Sequence, residues 1–123
     1  MKTVLLVEDD KFLSALLKNR LEKESFNVIH AEDGEEAVNI LRTSSSKPDL
    51  VLLDIILPKK NGFEVLEEIK QDIEFKNLPI IIISNLGQDD DLSRGKELGA
   101  TEYYIKAQTS IDDLISKIKS FTI

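Results

Sequence analysis

The chain has no cysteine, which removes disulfides, thiolate chemistry and cysteine-based zinc sites from consideration. Basic residues are in deficit: 16 against 23 acidic ones give a formal net charge of -7. Neutralising nucleic-acid phosphates needs a basic footprint, so direct nucleic-acid binding is disfavoured. A basic or neutral partner, or a divalent cation, suits the charge better. No apolar run approaches the ~20 residues of a membrane span. The N-terminus enters a strand pattern at once, without a signal-peptide layout, so a cytoplasmic protein is expected. There is no internal repeat and no low-complexity tail. What is there is a chain of 123 residues, 41% hydrophobic and 32% charged. That suits one domain, residues 1–123, with a buried core.

Strand and helix patterns alternate along the chain. Residues 3–8 form an apolar run without polar alternation, the mark of a strand buried on both faces. Leu13, Leu16, Leu17 and Leu21 then recur at helical spacing over residues 10–24. Residues 27–31 read as a short strand, and 33–43 as a helix burying Ala37, Ile40 and Leu41. Thr43 to Pro48 is a loop, since Pro48 pushes Lys47 out of helical geometry. Leu50 to Asp54 is the third strand, and Pro58 to Gly62 a polar loop. Phe63, Leu66, Ile69 and Ile73 mark a helix face. Pro79 opens the fourth strand, a place where a strand tolerates proline. Residues 88–98 predict a weak helix: Gly95 in its interior costs ~1 kcal/mol relative to Ala, and Leu92 and Leu98 are its only large apolar residues. Residues 102–105 are the fifth strand. Ser110 with Asp113 looks like a capping box opening the last helix, which buries Leu114, Ile115, Ile118 and Phe121. Five such units with short connections predict an α/β fold, a flavodoxin-like three-layer sandwich. Its five-stranded parallel sheet has the order 2-1-3-4-5 and carries five helices.

In that order, strands 1 and 3 are neighbours at the topological switch point, where open α/β sheets bind ligands. The strand ends deliver Asp9, Asp10 and Asp54 to this edge, flanked by Ser84 and Lys106. Three carboxylates in one crevice repel one another and call for a cation. Short hard-oxygen side chains suit Mg²⁺, which keeps several of its waters. A hydroxyl and an ammonium are wrong for a cation alone but right for an oxyanion beside it. Mg²⁺, a tetrahedral anion and a carboxylate together make a phosphoryl-transfer site. Asp54, alone at its strand end, is the candidate nucleophile.

The segments Leu6-Val7-Glu8-Asp9-Asp10, Asp54-Ile55-Ile56-Leu57-Pro58 and Asn61-Gly62-Phe63-Glu64, followed by Ser84 and Lys106, resemble the receiver domain of bacterial response regulators over the whole chain. The resemblance implies that Asp54 accepts a phosphoryl group from a sensor-kinase phosphohistidine or a phosphotransfer protein. It implies that Asp10 ligates Mg²⁺ directly, Asp9 through water, and the Ile56 backbone carbonyl as well. Lys106 would pair with the phosphoryl oxygens or with unmodified Asp54. Ser84 would swing to the phosphoryl group and Tyr103 would follow as the switch aromatic. Output would pass through the fourth helix, fifth strand and fifth helix to a downstream protein, with room for a homodimer through the fourth-helix face. A stand-alone, non-enzymatic switch is the expectation.

The sequence departs from that family in two places. Ala107 follows Lys106 where proline and a cis peptide are usual. A non-proline cis bond costs ~2.5–4 kcal/mol, so a trans peptide and a rearranged loop are expected. Asn85 follows Ser84 where a small residue is usual, and either narrows the site or points to solvent. Other residues have simpler readings. Asp10 is also suited to cap the first helix. His30 reads as a surface residue away from the site, Lys59 and Lys60 as a solvated loop, and Asp89 to Asp91 as acidic residues at a helix start. Two other functions compete: an aspartate-nucleophile phosphatase and an unphosphorylated docking module. The phosphatase needs an acid/base aspartate two residues after the nucleophile, where this chain has Ile56.

Overall fold

The structure is a computed structural model that describes residues 2–45 and 47–122. Five strands, β1 (Thr3–Val7), β2 (Asn27–Ala31), β3 (Leu50–Leu53), β4 (Ile80–Ser84) and β5 (Glu102–Ile105), form one sheet in the order β2-β1-β3-β4-β5. All four pairings are parallel. The crossovers are α1 (Lys11–Lys23), α2 (Gly34–Thr43), α3 (Gly62–Gln71) and α4 (Asp89–Glu97); α5 (Ile111–Phe121) closes the chain. A short 3-10 turn, Lys106–Gln108, separates β5 from α5.

Side chains alternate across a strand, so each buried strand feeds two cores. Leu5, Val7, Val51, Leu53, Ile80 and Ile82 meet Ala37, Leu41, Leu66 and Ile69 on one face. Val4, Leu6, Leu50, Leu52, Ile81 and Ile83 meet Leu17, Leu21, Leu114 and Ile118 on the other. A fully buried Leu or Ile contributes about 1.5–3 kcal/mol, so these two layers are the main stabilising term. Helix starts are set locally. Asp10, Asp33, Asn61 and Ser110 each accept the N–H of the residue three positions on, satisfying donors the helix leaves free.

Several expectations change in detail. Ile73 does not belong to the buried face of α3: the helix stops at Gln71 and Ile73 is 85% exposed. The Asp72 N–H turns back to the Ile69 carbonyl at 3.2 Å and ends the helix there. Leu13, Leu16 and Ile40 are half-buried rather than core. Lys60 is not simply solvated, since its ammonium pairs with Glu68 and both side chains are largely covered. Gly95 is the only buried residue of α4, and its smallness has a packing cause. A Cβ there would lie 2.9 Å from the Tyr103 ring and 3.0 Å from Ile82 Cδ1. Among the described residues, no helix is long and apolar enough to cross a membrane.

Candidate functional site

β1 ends at Val7 and β3 at Leu53, and these residues are register partners. The next residue of each strand, Glu8 and Asp54, therefore emerges side by side at the carboxyl edge of the sheet. The Asp54 N–H still donates to the Val7 carbonyl at 3.0 Å, and the Glu8 N–H to the Ala31 carbonyl at 3.1 Å. Both carboxylates are buried, with side chains 1% and 4% exposed. From beyond β5, Lys106 reaches back between them. Its ammonium is 2.7 Å from Asp54 Oδ2 and 2.9 Å from Glu8 Oε1. Asp54 Oδ1 accepts the Ile56 N–H at 3.2 Å. The Asp10 N–H reaches Glu8 Oε2 at 3.1 Å. Above them opens a crevice of about 350 Å³ lined by Asp9, Asp10, Ile56 and Asn85 as well as by the buried triad.

The electrostatics follow from burial. Burial pushes the Glu8 carboxyl above its usual value and the Asp54 charge adds to this, while the Lys106 ammonium and the Asp10 N–H oppose it. Burial pulls the Lys106 ammonium down, but its bonds to Asp54 and Glu8 outweigh that and hold it above the usual lysine range. Two buried acids, Glu8 and Asp54, thus share one half-buried cation.

The structure brings Asp9, Asp54, Ile56 and Lys106 together as the sequence predicts, and changes the acidic set. Carboxylate oxygens of Glu8, Asp9 and Asp54 lie within 4.8 Å of one another. Asp10 lines the crevice, but its Oδ1 accepts the Leu13 N–H at 3.0 Å, capping α1, and it stands outside that cluster. Glu8, not Asp10, is the partner of Asp9. The signal available in the sequence was the cap itself: Asp10 stands three residues before the first periodic leucine, Leu13. The donor set fits a hard divalent cation such as Mg²⁺, being all oxygen and clustered. Glu8 Oε1 is buried with the Lys106 ammonium at 2.9 Å as its close partner, and a carboxylate oxygen has a second lone pair for a cation.

His30 is likewise closer to the site than its place in β2 suggested. It is half-buried, and its Nε2–H donates to the Glu8 carbonyl at 2.8 Å. The peptide bonds of the described residues are all trans, that of Lys106–Ala107 included. The Lys106 ammonium still reaches Asp54, so alanine at 107 costs the site nothing in reach.

Ser84 and Tyr103 sit one layer back. Ser84 is fully buried, and its Oγ accepts the Leu86 N–H at 3.3 Å. The Tyr103 hydroxyl donates to the Leu86 carbonyl. Both residues therefore hold the same stretch of the β4–α4 loop. Burial, then the charges of Asp91 and Asp54, push the Tyr103 phenol up to about 12. An ultraviolet titration should accordingly show one tyrosinate appearing near that pH, and Asp91→Asn should lower it. The sign follows from linkage: the fold favours the neutral phenol. Its stabilising contribution is complete below pH ~10 and is lost as pH rises toward the folded value. Retention of full stability across that window would contradict it.

Comparison with known proteins gives a consistent result. The family model for the response regulator receiver domain matches residues 4–119. The chain is 41% identical over 120 residues to the transcriptional regulatory protein CpxR of Escherichia coli (strain K12), covering 98% of this chain and 49% of CpxR. It thus spans about half the length of the curated relatives it matches. Among solved structures it resembles the Mn(2+)-bound form of response regulator Rcp1, with a TM-score of 0.88 at 35% identity over 98% of this chain and 94% of that one. The non-phosphorylated HemR receiver domain from Leptospira biflexa has a TM-score of 0.88 at 34% identity, over 99% and 94%.

Proposed function

The chain belongs to the response regulator receiver domain family, and we propose that it is a phosphoacceptor switch in which Asp54 takes a phosphoryl group from a phosphohistidine. The donor is a sensor histidine kinase or a phosphotransfer protein. The observation that carries this reading is the buried Asp54 carboxylate held 2.7 Å from the Lys106 ammonium on the floor of an acidic crevice. A carboxylate so placed can attack an incoming phosphorus while the ammonium beside it balances the charge. An Asp54 oxygen forms the new P–O bond while the P–N bond to the donor imidazole breaks, its electron pair returning to the ring nitrogen. Lys106 is then free to follow the charge from the carboxylate to the phosphoryl oxygens. Glu8, Asp9, Asp54 and the Ile56 carbonyl would hold Mg²⁺. Bound there, such an ion would neutralise negative charge at the site. That the related Rcp1 is known in a Mn(2+)-bound form supports a divalent ion here.

Conversion of that local event into an output rests on Leu86. Once phosphoryl oxygens are present, the Ser84 hydroxyl has a better acceptor to donate to, and leaving for it releases the Leu86 N–H. Leu86 then keeps its carbonyl bond from the Tyr103 hydroxyl, and the Tyr103 ring packs against Gly95 of α4. α4 carries one buried residue and is weakly held, the property a two-state element needs. The reader of the α4–β5–α5 surface is a downstream protein, a second copy of this chain through the α4 face included. CpxR is a transcriptional regulatory protein of twice this length; only the switch is assigned to this chain.

The phosphatase reading fails on Ile56, whose side chain is apolar and 59% exposed where an acid/base is needed. Incubation with Mg²⁺ and acetyl phosphate should modify the protein once, with complete loss of labelling in Asp54→Asn. Multiple turnover at a rate above the decay of the labelled protein would favour a phosphatase. No reaction at all would favour a docking module.

A further inference from the structure

We propose that Asn85 is a further donor to the phosphoryl oxygens, its carboxamide oriented by the backbone amide of Ala107. The proposal rests on the phosphoacceptor reading of the same crevice. Because residue 107 is alanine, it has an N–H that a proline would lack. That N–H lies in the short turn following β5 and donates to Asn85 Oδ1 at 3.1 Å. A backbone N–H can only donate, so the atom it meets on the carboxamide is the oxygen. The orientation of the whole amide follows: Nδ2 is on the other arm of the fork. Among the described residues Nδ2 donates to no protein acceptor.

Asn85 lines the crevice with Asp54 and Lys106. An NH₂ group cannot ligate a cation, so it adds nothing to the carboxylate set. Its complement is an oxyanion arriving in that crevice. Ser84 is not such a donor in this arrangement: it is fully buried and does not line the crevice, although its O–H is free while its Oγ accepts the Leu86 N–H. Among the described residues that line the crevice, Lys106 and Asn85 are the two with side-chain donors. Ala107 acts through Asn85 and is a positioning residue. The pair accounts together for both places where this sequence departs from its family.

The test measures Mg²⁺ affinity, then beryllofluoride affinity at saturating Mg²⁺, by tyrosine fluorescence or NMR. Beryllofluoride mimics the phosphoryl group. Losing one hydrogen bond to a charged group should weaken beryllofluoride binding by about tenfold to hundredfold in Asn85→Ala, with Mg²⁺ affinity held within about twofold. Asn85→Asp keeps an acceptor for the Ala107 N–H but has no donor, and should lose at least as much. Ala107→Pro should weaken beryllofluoride binding in the wild-type background and add little to Asn85→Ala. If Ala107→Pro does not fold, the two Asn85 variants decide alone. Unchanged beryllofluoride binding in Asn85→Ala, or equal losses of Mg²⁺ and beryllofluoride, overturns the proposal. A wild-type protein that binds Mg²⁺ but no beryllofluoride instead overturns the phosphoacceptor reading beneath it.

Discussion

Replacing Lys106 with methionine is expected to destabilise the metal-free protein by about 3–5 kcal/mol, the cost of leaving buried charge without its partner. Methionine preserves most of the aliphatic stem, so the loss isolates the ammonium. Glu8 and Asp54 would then face each other with side chains 1% and 4% exposed and no counter-charge. The melting temperature should fall by on the order of 10 °C or more. Two conditions should restore part of the loss. Acidification should help, because Glu8 already titrates above its usual value and would rise further without Lys106. A raised folded pKa means the fold binds that proton more tightly than the unfolded chain. Stability therefore increases as pH falls through the folded value toward the unfolded one. Millimolar Mg²⁺ should also help, by binding the folded state alone. Equal urea midpoints for variant and wild type at neutral pH would mean that water already solvates these carboxylates.

The second large effect is expected at Gly62. A Cβ there would sit 2.3 Å from the Asp54 carbonyl oxygen and 2.6 Å from Ile55 Cα. Both neighbours are backbone, so neither can swing aside. The Gly62 N–H donates to the Ile55 carbonyl at 2.8 Å, which brings the start of α3 directly under the loop that presents Asp54. Gly62→Ala should therefore cost about 3 kcal/mol as overpacking. It should also lower the rate of phosphorylation by acetyl phosphate, since Asp54 must shift with its own carbonyl. A variant with wild-type stability and wild-type labelling would show that α3 can move away freely. A Cβ on Gly34 would make a comparable approach, 2.0 Å from the Lys60 carbonyl oxygen. The long β3–α3 loop is thus held at both of its sides by glycines.

The element order and the sheet were legible because a strand buried on both faces needs an unbroken apolar run. Val4 to Val7, Leu50 to Leu53 and Ile80 to Ile83 are such runs, and each proved to be a central strand. Asp54 and Ser84 were legible as polar residues terminating two of those runs, and Lys106 as the charge ending the shorter Tyr103-Tyr104-Ile105 run of β5. The α4 helix was readable as weak, yet the cause assigned to Gly95 was incomplete. Backbone freedom is a local property, whereas the Tyr103 ring that occupies the space arrives from β5.

What the sequence determined by itself is the set of strands, their polar ends and hence the edge at which chemistry can occur. Local periodicity and the parallel order suffice for that. Tertiary structure alone decided which acids meet. Glu8 and Asp10 are both carboxylates one step from Asp9, and a shift of one residue in where β1 ends exchanges their roles. The Val7–Leu53 register sends Glu8 inward to Lys106, and the first turn of α1 takes Asp10 as its cap. Likewise, only the approach of the β4 and β5 ends made Asn85 and Ala107 partners. Direction and distance between strand ends are set by pairing across the sheet, and no run of neighbouring residues encodes them.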